Sequence, residues 1–261
     1  MISYSFSLNE LEYFLLVMTR VTCFIFIAPF FNTANTPNRV KIGLGVFVSI
    51  LIFNGINPHE QLQYDSVLGY AILVMKEALT GLLVGFSANM CVSVTSFAGH
   101  IIDMDIGLSM VSLYDPTTRD NATITGVFYQ YVLMLILICS GMYRYLIQAL
   151  IDTFTLIPLT GAIFQLDHLF QTVIQFMSDY IIIGFRIALP VFVVMILLNA
   201  ILGIMAKVAP QMNMFAVGLQ LKILVGLAVV YLTAGMLPGA CDFVFEQMKK
   251  LLTAFVQGMM P

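Results

Sequence analysis

The chain has 261 residues, of which 60% are hydrophobic and only 10% charged, and its formal net charge is -3. Globular domains carry about a quarter charged residues, so this composition predicts an all-α, multi-pass membrane protein. The negative net charge argues against nucleic acid as a partner, because nucleic-acid binding depends on clustered Lys and Arg. No polar segment is long enough to build a separate core, so we treat residues 1–261 as one subunit.

A first helix is predicted from near Leu8 to Pro29, which approximates the ~20 residues that a bilayer core requires. Arg20 lies in the middle of this helix, where a charge facing lipid costs about 2.5–3.5 kcal/mol. We therefore expect Arg20 to face protein or water. Pairing with an acidic residue or with helix-end carbonyls is the simpler interpretation, and contact with a transported species is the alternative.

The next two apolar runs differ in length. Residues 42–56 predict a short or tilted span, whereas Val67–Ala98 is too long for one straight span. Lys76 and Glu77 lie inside the longer run, so we expect a break there and a membrane span that begins near Ala78.

Small residues within that span predict a packed helix interface. Gly81 and Gly85 have the spacing that allows two helix backbones to approach closely in lipid.

The longest polar interruption is GHIIDMDIGLSMVSLYDPTTRDNATIT, residues 99–125, which lies between two long apolar runs. Gly107, Asp115-Pro116 and Gly126 provide turn-forming residues, so we predict a structured loop that is tethered at both ends. This loop is our main candidate functional element. An ordinary solvated loop between two spans is the alternative.

The sequence contains no strong signal for a catalytic site or a metal site. His100, Asp103 and Asp105 are too few and too loosely grouped to predict a metal site, and we expect neither a metal nor another cofactor. There is no nucleotide-binding loop or nucleophile constellation, so we predict no catalytic residue; only the Asp103 and Asp105 pair would favour an intramembrane enzyme. Four cysteines without short spacing are expected to be buried, unreactive thiols: Cys23, Cys91, Cys139 and Cys241.

The last third predicts a helical hairpin. Ile181–Ala206 and Met214–Leu237 are its arms, residues 207–213 are the turn, and a short amphipathic tail follows. Pro190 is expected to kink the first arm, and Pro210 lies in the turn. Polar side chains in or beside the apolar runs are expected to pack against other helices, since lipid would not satisfy them: Arg20, Lys76, Glu77, Asp103, Asp105, Arg186, Lys207 and Lys222.

Several motifs occur in an order and spacing that carry a family resemblance. They are Arg20 with Pro29 and Pro37-Asn38-Arg39, then GLLVGF at 81–86 and AGHIIDMDIGLSM at 98–110, and finally RIALP at 186–190 with APQMNMFAVGLQLKI at 209–223. Over nearly its whole length the chain resembles the flagellar branch of the FliR/SctT family of type III export-gate proteins.

This resemblance implies a non-enzymatic subunit of a channel through which unfolded flagellar proteins cross the bacterial inner membrane at the flagellar basal body. It implies one copy of the chain in a hetero-oligomer with FliP and FliQ, together with FlhB-like and FlhA-like export components. Residues 1–170 would correspond to a FliP-like portion and residues 171–261 to a FliQ-like helical hairpin. The alternative is an ion-coupled secondary transporter, in which Arg20, Arg186 and Lys222 would line a midplane site beside Pro190.

The family likeness also assigns a role to the polar loop. Residues 106–124 resemble the plug that closes the resting pore, although Arg119 and its acidic neighbours depart from a purely apolar plug. The residues expected to close the pore are Gly107, Leu108, Ser109, Met110, Val111, Ser112 and Leu113.

Overall fold

The computed structural model describes residues 8–32, 36–55, 62, 64, 66–108, 123–211 and 213–261, and within these residues all regular structure is helical. The all-α prediction is confirmed. The helices, in chain order, are α1 (Leu8–Ile27), α2 (Asn38–Gly55), α3 (Val67–Ile106), α4 (Ile124–Cys139), α5 (Met142–Leu156), α6 (Leu166–Val208), α7 (Met214–Thr233), a 3₁₀ turn (Ala234–Met236) and α8 (Leu237–Gln257).

Four helical stretches in the described part of the chain are long and apolar enough to cross a membrane. They are α2, α3, α6 and the combined stretch Ala216–Gln257, and the broken pair α4–α5 makes a fifth if it is counted as one span. α1 is not among them, because its 20 residues include Glu10, Glu12 and Arg20.

The chain divides into two compact units that are each discontinuous in sequence. Unit 1 comprises residues 1–90, 141–175 and 247–261, and unit 2 comprises residues 91–140 and 176–246. The predicted division into FliP-like and FliQ-like portions concerns likeness to two other proteins, so it stays a prediction.

In unit 1, α1 provides one buried face at helical spacing, with Leu16, Val17 and Phe24 almost fully inaccessible. The last residues of the chain join this core. The amides of Ile163 and Gln165 donate hydrogen bonds to the carbonyls of Met259 and Gly258, with N···O distances of 3.2 and 3.0 Å.

The core of unit 2 is built from the end of α3 and from α4, α6, α7 and α8. Ile102, Ile106, Tyr129, Met195 and Leu237 are buried together there. The loop-proximal end of α3 is therefore fixed by hydrophobic packing.

The break expected at Lys76 and Glu77 is wrong, because α3 runs without interruption for 40 residues. Glu77 is fully buried and paired with Arg20 of α1, so its charge is compatible with a continuous helix. The polar loop is also shorter than expected, since residues 99–106 are the end of α3. Gly126, which we expected in a turn, lies in the first turn of α4.

Helices α6 and α7 lie where the two arms of the C-terminal hairpin were predicted. Pro190 lies inside a helix that continues to Val208, and the expected short tail is the 21-residue helix α8. α4 ends at Cys139, and Gly141 separates it from α5 with φ of +72°, a conformation that favours glycine. Among the cysteines, Cys91 and Cys241 are buried, but Cys139 is exposed, so the prediction of burial is wrong for that residue.

Candidate functional site

The described ends of the polar loop are joined by Asp103 and Thr125. The buried Asp103 carboxylate at the end of α3 accepts a hydrogen bond from the Thr125 amide at 2.9 Å. It also accepts a short hydrogen bond from the Thr125 hydroxyl. Because Thr125 lies in the first turn of α4, the carboxylate also interacts favourably with the positive end of that helix. We call Asp103, Thr123, Thr125 and the glycine pair Gly99 and Gly126 the loop clamp.

Glycine is required on both sides of the loop clamp. A Cβ at Gly99 would collide with the backbone of Gly126, and a Cβ at Gly126 would lie 2.6 Å from the Thr123 hydroxyl oxygen. Thr123 is the N-cap of α4, and its hydroxyl accepts a hydrogen bond from the Gly126 amide at 3.3 Å. The two helices therefore meet backbone to backbone at the point where the loop begins and ends.

The first two residues of the predicted plug are also held. Gly107 leaves α3 with φ of +91°, a conformation that favours glycine, and its amide donates to the Asp103 carbonyl. Leu108 is 8% exposed and belongs to the core of unit 2. The remaining predicted plug residues lie outside the described residues: Ser109, Met110, Val111, Ser112 and Leu113.

Asp105 and His100 do not join Asp103 in a common site. Asp105 is half-buried, and one of its carboxylate oxygens has no hydrogen-bond partner within the described part of the chain. Lys222 of α7 interacts with this carboxylate electrostatically. His100 interacts through Nδ1 with the Ser96 carbonyl of its own helix at 2.7 Å. Over the residues that the structure describes, there is no group of three metal-ligating side chains.

A second polar cluster is centred on Arg20 in unit 1. Its Nε donates to Glu77 Oε2 at 2.6 Å and its Nη2 donates to Glu77 Oε1 at 3.0 Å, so the ion pair is bidentate, and both side chains are fully buried. We call this the Arg20–Glu77 pair.

The remaining donor of Arg20 caps the end of α5. Nη1 donates to the carbonyls of Thr153 and Ile157 at 3.0 and 3.1 Å, and the guanidinium lies 4.4 Å from the centroid of the Phe154 ring. Glu77 also accepts from the amide of Thr160, a residue with φ of +80°. Both structural interpretations of Arg20, an acidic partner and helix-end carbonyls, therefore describe its contacts.

Gly81 and Gly85 of α3 face α1 close to the Arg20–Glu77 pair. A Cβ at Gly81 would collide with the Arg20 carbonyl, and a Cβ at Gly85 would lie 2.9 Å from the Phe24 carbonyl. The two glycines thus allow α3 to contact the backbone of α1, which brings Glu77 within reach of Arg20.

The other predicted polar residues have more open surroundings. Lys76 and Lys222 are half-buried, whereas Arg186 and Lys207 are exposed. Arg186 lies over the ring of Phe243, with 5.6 Å between the guanidinium carbon and the ring centroid, and Lys207 lies in the last turn of α6. Pro190 is inside α6, and Pro210 is in the turn before α7.

Sequence reasoning missed two groups of contacts. Thr125 and Thr153 carry no signal that distinguishes them from other threonines, because their partners are 22 and 133 residues away. Lys41 was also missed; it is buried, and its ammonium donates to the Asn32 side chain at 2.7 Å.

The described helices that are long and apolar enough to cross a membrane, together with the buried Arg20–Glu77 pair and the loop clamp, define the chain as a helical membrane protein with several spans. The chain belongs to the family of bacterial export proteins, family 1, which it matches over residues 11–248.

Its relatives carry the name flagellar biosynthetic protein FliR. The chain is 31% identical to the FliR of Bacillus subtilis (strain 168) over 214 residues, which cover 81% of this chain and 82% of the relative. It is 28% identical to the protein of Pectobacterium carotovorum subsp. carotovorum, with 94% and 92% of the two chains covered. It is 24% identical to the protein of Escherichia coli (strain K12), with 95% and 94% covered.

Proposed function

We propose that this chain is a core subunit of the flagellar type III protein export gate in the bacterial inner membrane. The observation that carries the proposal is the match to FliR proteins of several bacteria over nearly the full length of both chains. The helices that are long and apolar enough to cross a membrane are consistent with a location in the membrane. In this role the chain performs no chemistry of its own and contributes part of the wall of a channel for unfolded flagellar proteins at the basal body.

The loop clamp supports a plug function for residues 106–124. A segment that closes a pore must stay over it while remaining able to move. Asp103, Gly107 and Leu108 fix the first end, and Thr123 and Thr125 fix the second. The helix packing on either side of the segment is therefore held by described residues outside 109–122.

A secondary transporter is not favoured. The transporter hypothesis needs Arg20 together with Arg186 and Lys222 to bind substrate, but Nε, Nη1 and Nη2 of Arg20 all donate to Glu77 or to carbonyls at the end of α5, so Arg20 is not available to a substrate. Substrate-dependent uptake by the purified chain alone in liposomes would support the transporter.

The partners are proposed from the same likeness: FliP and FliQ in one complex with a single copy of this chain, with FlhB-like and FlhA-like components as neighbours. The test is the particle mass after co-expression with FliP and FliQ from the same genome and purification in mild detergent. A large complex that contains all three chains is expected. A lone 29.0 kDa species from the same co-expression would refute the proposal.

The plug is tested by replacing residues 109–122 with a Gly/Ser segment of equal length, which leaves the loop clamp intact. We expect the resting membrane to become permeable to ions, measured as conductance of the reconstituted complex. A matched control replaces Gly203 by Ala, since a Cβ at that position has open space around it. Conductance equal to that of the unmodified complex would show that the loop is not a plug.

A further inference from the structure

A groove on unit 2 has an apolar interior and a cation at one end. It lies between α4, α6, the 3₁₀ turn and α8, and its volume is about 430 Å³. Pockets that bind small ligands have volumes of roughly 300–1,000 Å³. Ile187, Pro190, Met236 and Leu237 are among the apolar residues that line it.

Arg186 is the only lining residue with a charge, and it has no acidic partner among the described residues. Its contact is with the ring of Phe243, which still leaves the guanidinium N–H groups free to donate. A cation in a helix that crosses a membrane is stable only if it binds a counter-ion or reaches water.

The two ends of the groove differ in polarity. Phe243, which contacts Arg186, is flanked on α8 by the exposed Asp242 and Glu246, so this end continues into the polar part of that helix. Arg186 itself follows Asp179 by seven residues, or roughly 10 Å along α6. Arginine can bury its aliphatic stem along apolar surface while its guanidinium reaches polar surroundings. Away from Arg186 the lining is apolar except for Tyr129 and Thr233.

This arrangement matches the two parts of a glycerophospholipid. We propose that the groove binds one phospholipid, whose phosphate accepts hydrogen bonds from the Arg186 guanidinium and whose acyl chain lies along Ile187, Pro190 and Leu237. Guanidinium and phosphate form bidentate, charge-assisted hydrogen bonds, and an acyl chain is the apolar ligand that a membrane supplies at the highest concentration. The site would bind lipid whatever passes through the assembly.

The test is photo-crosslinking of the full chain, co-expressed with its neighbours, in nanodiscs that contain a diazirine-bearing phosphatidylglycerol. Crosslinked peptides are located by mass spectrometry. We expect crosslinks on α8 around Gly239 and Phe243. Arg186→Gln should lower their yield about tenfold, because it removes the phosphate ligand. Lys207→Gln is the matched control, since Lys207 is an exposed cation of the same helix outside the groove.

A second variant tests the acyl-chain half of the site. Gly239 lines the groove and a Cβ there would meet no atom within 4 Å, so Gly239→Leu fills the space without a backbone clash. It should lower the crosslink yield as strongly as Arg186→Gln does. Elution as a single peak with the co-expressed chains checks that each variant is folded.

Three results would overturn the proposal. One is an unchanged crosslink yield in both groove variants, and another is an equal loss in Lys207→Gln. The third is that the Arg186→Gln chain no longer co-purifies with the co-expressed chains but still crosslinks to the lipid. That result would show that the groove binds a helix of a neighbouring protein. Excess inorganic phosphate should not compete with the lipid; full competition would reduce the site to a phosphate site.

Discussion

A guanidinium inside an apolar helix is stable only when each of its donors has an acceptor, and Arg20 meets this condition with Glu77, Thr153 and Ile157. The desolvation cost of burying both charges offsets much of their attraction, so the pair contributes little net stability against an apolar substitute. Its effect is on specificity. The contacts hold α3 to α1 and fix the end of α5 at one register.

Removing one member of the Arg20–Glu77 pair should be far more harmful than removing both. Glu77→Gln leaves a fully buried cation without its counter-ion and is expected to cost about 3–5 kcal/mol of unfolding free energy. The double variant Arg20→Met with Glu77→Met should recover at least half of that loss. Thermal midpoints of the purified chain in detergent measure both.

The exposed Glu246 provides the control, because Glu246→Gln should leave the midpoint unchanged. If the double variant is as unstable as the single one, the ion pair contributes net stability and our account of it is wrong.

Tyr64 gives a pH-dependent prediction outside the membrane-spanning segments. Its hydroxyl donates to Glu12 at 2.6 Å, and this hydrogen bond, followed by burial, raises the pKa of Tyr64. A raised folded-state pKa means that the contribution to stability is fully present below the unfolded pKa of about 10 and is lost as pH rises through the folded value. The ultraviolet difference titration of wild type against Tyr64→Phe should show this tyrosine ionising above its usual range.

In Glu12→Gln that titration should shift towards the usual value, since the carboxylate acceptor is gone. If Tyr64 titrates at the same pH in wild type and in Glu12→Gln, the hydrogen bond to Glu12 is not what raises the pKa of Tyr64.

At the scale of elements, close helix contacts depend on glycines that face a neighbouring backbone. Gly81 and Gly85 face α1, and Gly99 faces Gly126 of α4. Small residues at such contacts are the usual means by which helices associate in lipid, where the hydrophobic effect does not drive packing. Gly43 and Gly203 have open space instead, so they offer the same substitution without a clash.

Gly99→Ala should separate α3 from α4 and weaken the hydrogen bonds of Asp103 to Thr125. We expect a loss of roughly 1–3 kcal/mol, as is typical of overpacking, together with faster amide exchange in the first turn of α4. Gly203→Ala should be neutral or should stabilise α6 by about 0.5–1 kcal/mol. Equal stability of the two variants would show that the glycine pair is not a packing constraint.

At the scale of the molecule, local signals predicted the elements well. Hydrophobic runs located most of the helices. Predictions from the sequence were wrong where a tertiary contact determines the role of a residue. Glu77 looked like the end of a helix because its partner Arg20 lies 57 residues away. Gly126 looked like a turn residue, but it serves a close contact with Gly99.

The candidate site was predictable in part. The sequence predicted a loop tethered at both ends, but the hydrogen bonds between Asp103 and Thr125 that join those ends did not follow from any local pattern. The same holds for Arg20, whose need for a partner was predictable while the identity of that partner was not.

Deleting residues 258–261 should destabilise unit 1. It removes the acceptors of the Ile163 and Gln165 amides and the fully buried Met259. Two hydrogen bonds and one buried side chain together predict a loss of roughly 3 kcal/mol or more. Limited proteolysis should cut α5 and the segment after it faster than in wild type.

Deleting the exposed Pro261 alone is the matched control and should have no effect. Resistance to proteolysis in the larger deletion would show that the last residues are dispensable for unit 1.

The discontinuous composition of unit 1 also has a consequence for biosynthesis. Its segment 141–175 leaves the ribosome well before residues 247–261, which supply its last packing partners. At roughly 5–20 residues per second, the interval between the end of the first segment and the start of the second lasts about 4–14 s. During that interval unit 1 lacks these packing partners, so we expect its core to close only after nearly all of residues 1–261 have been synthesised.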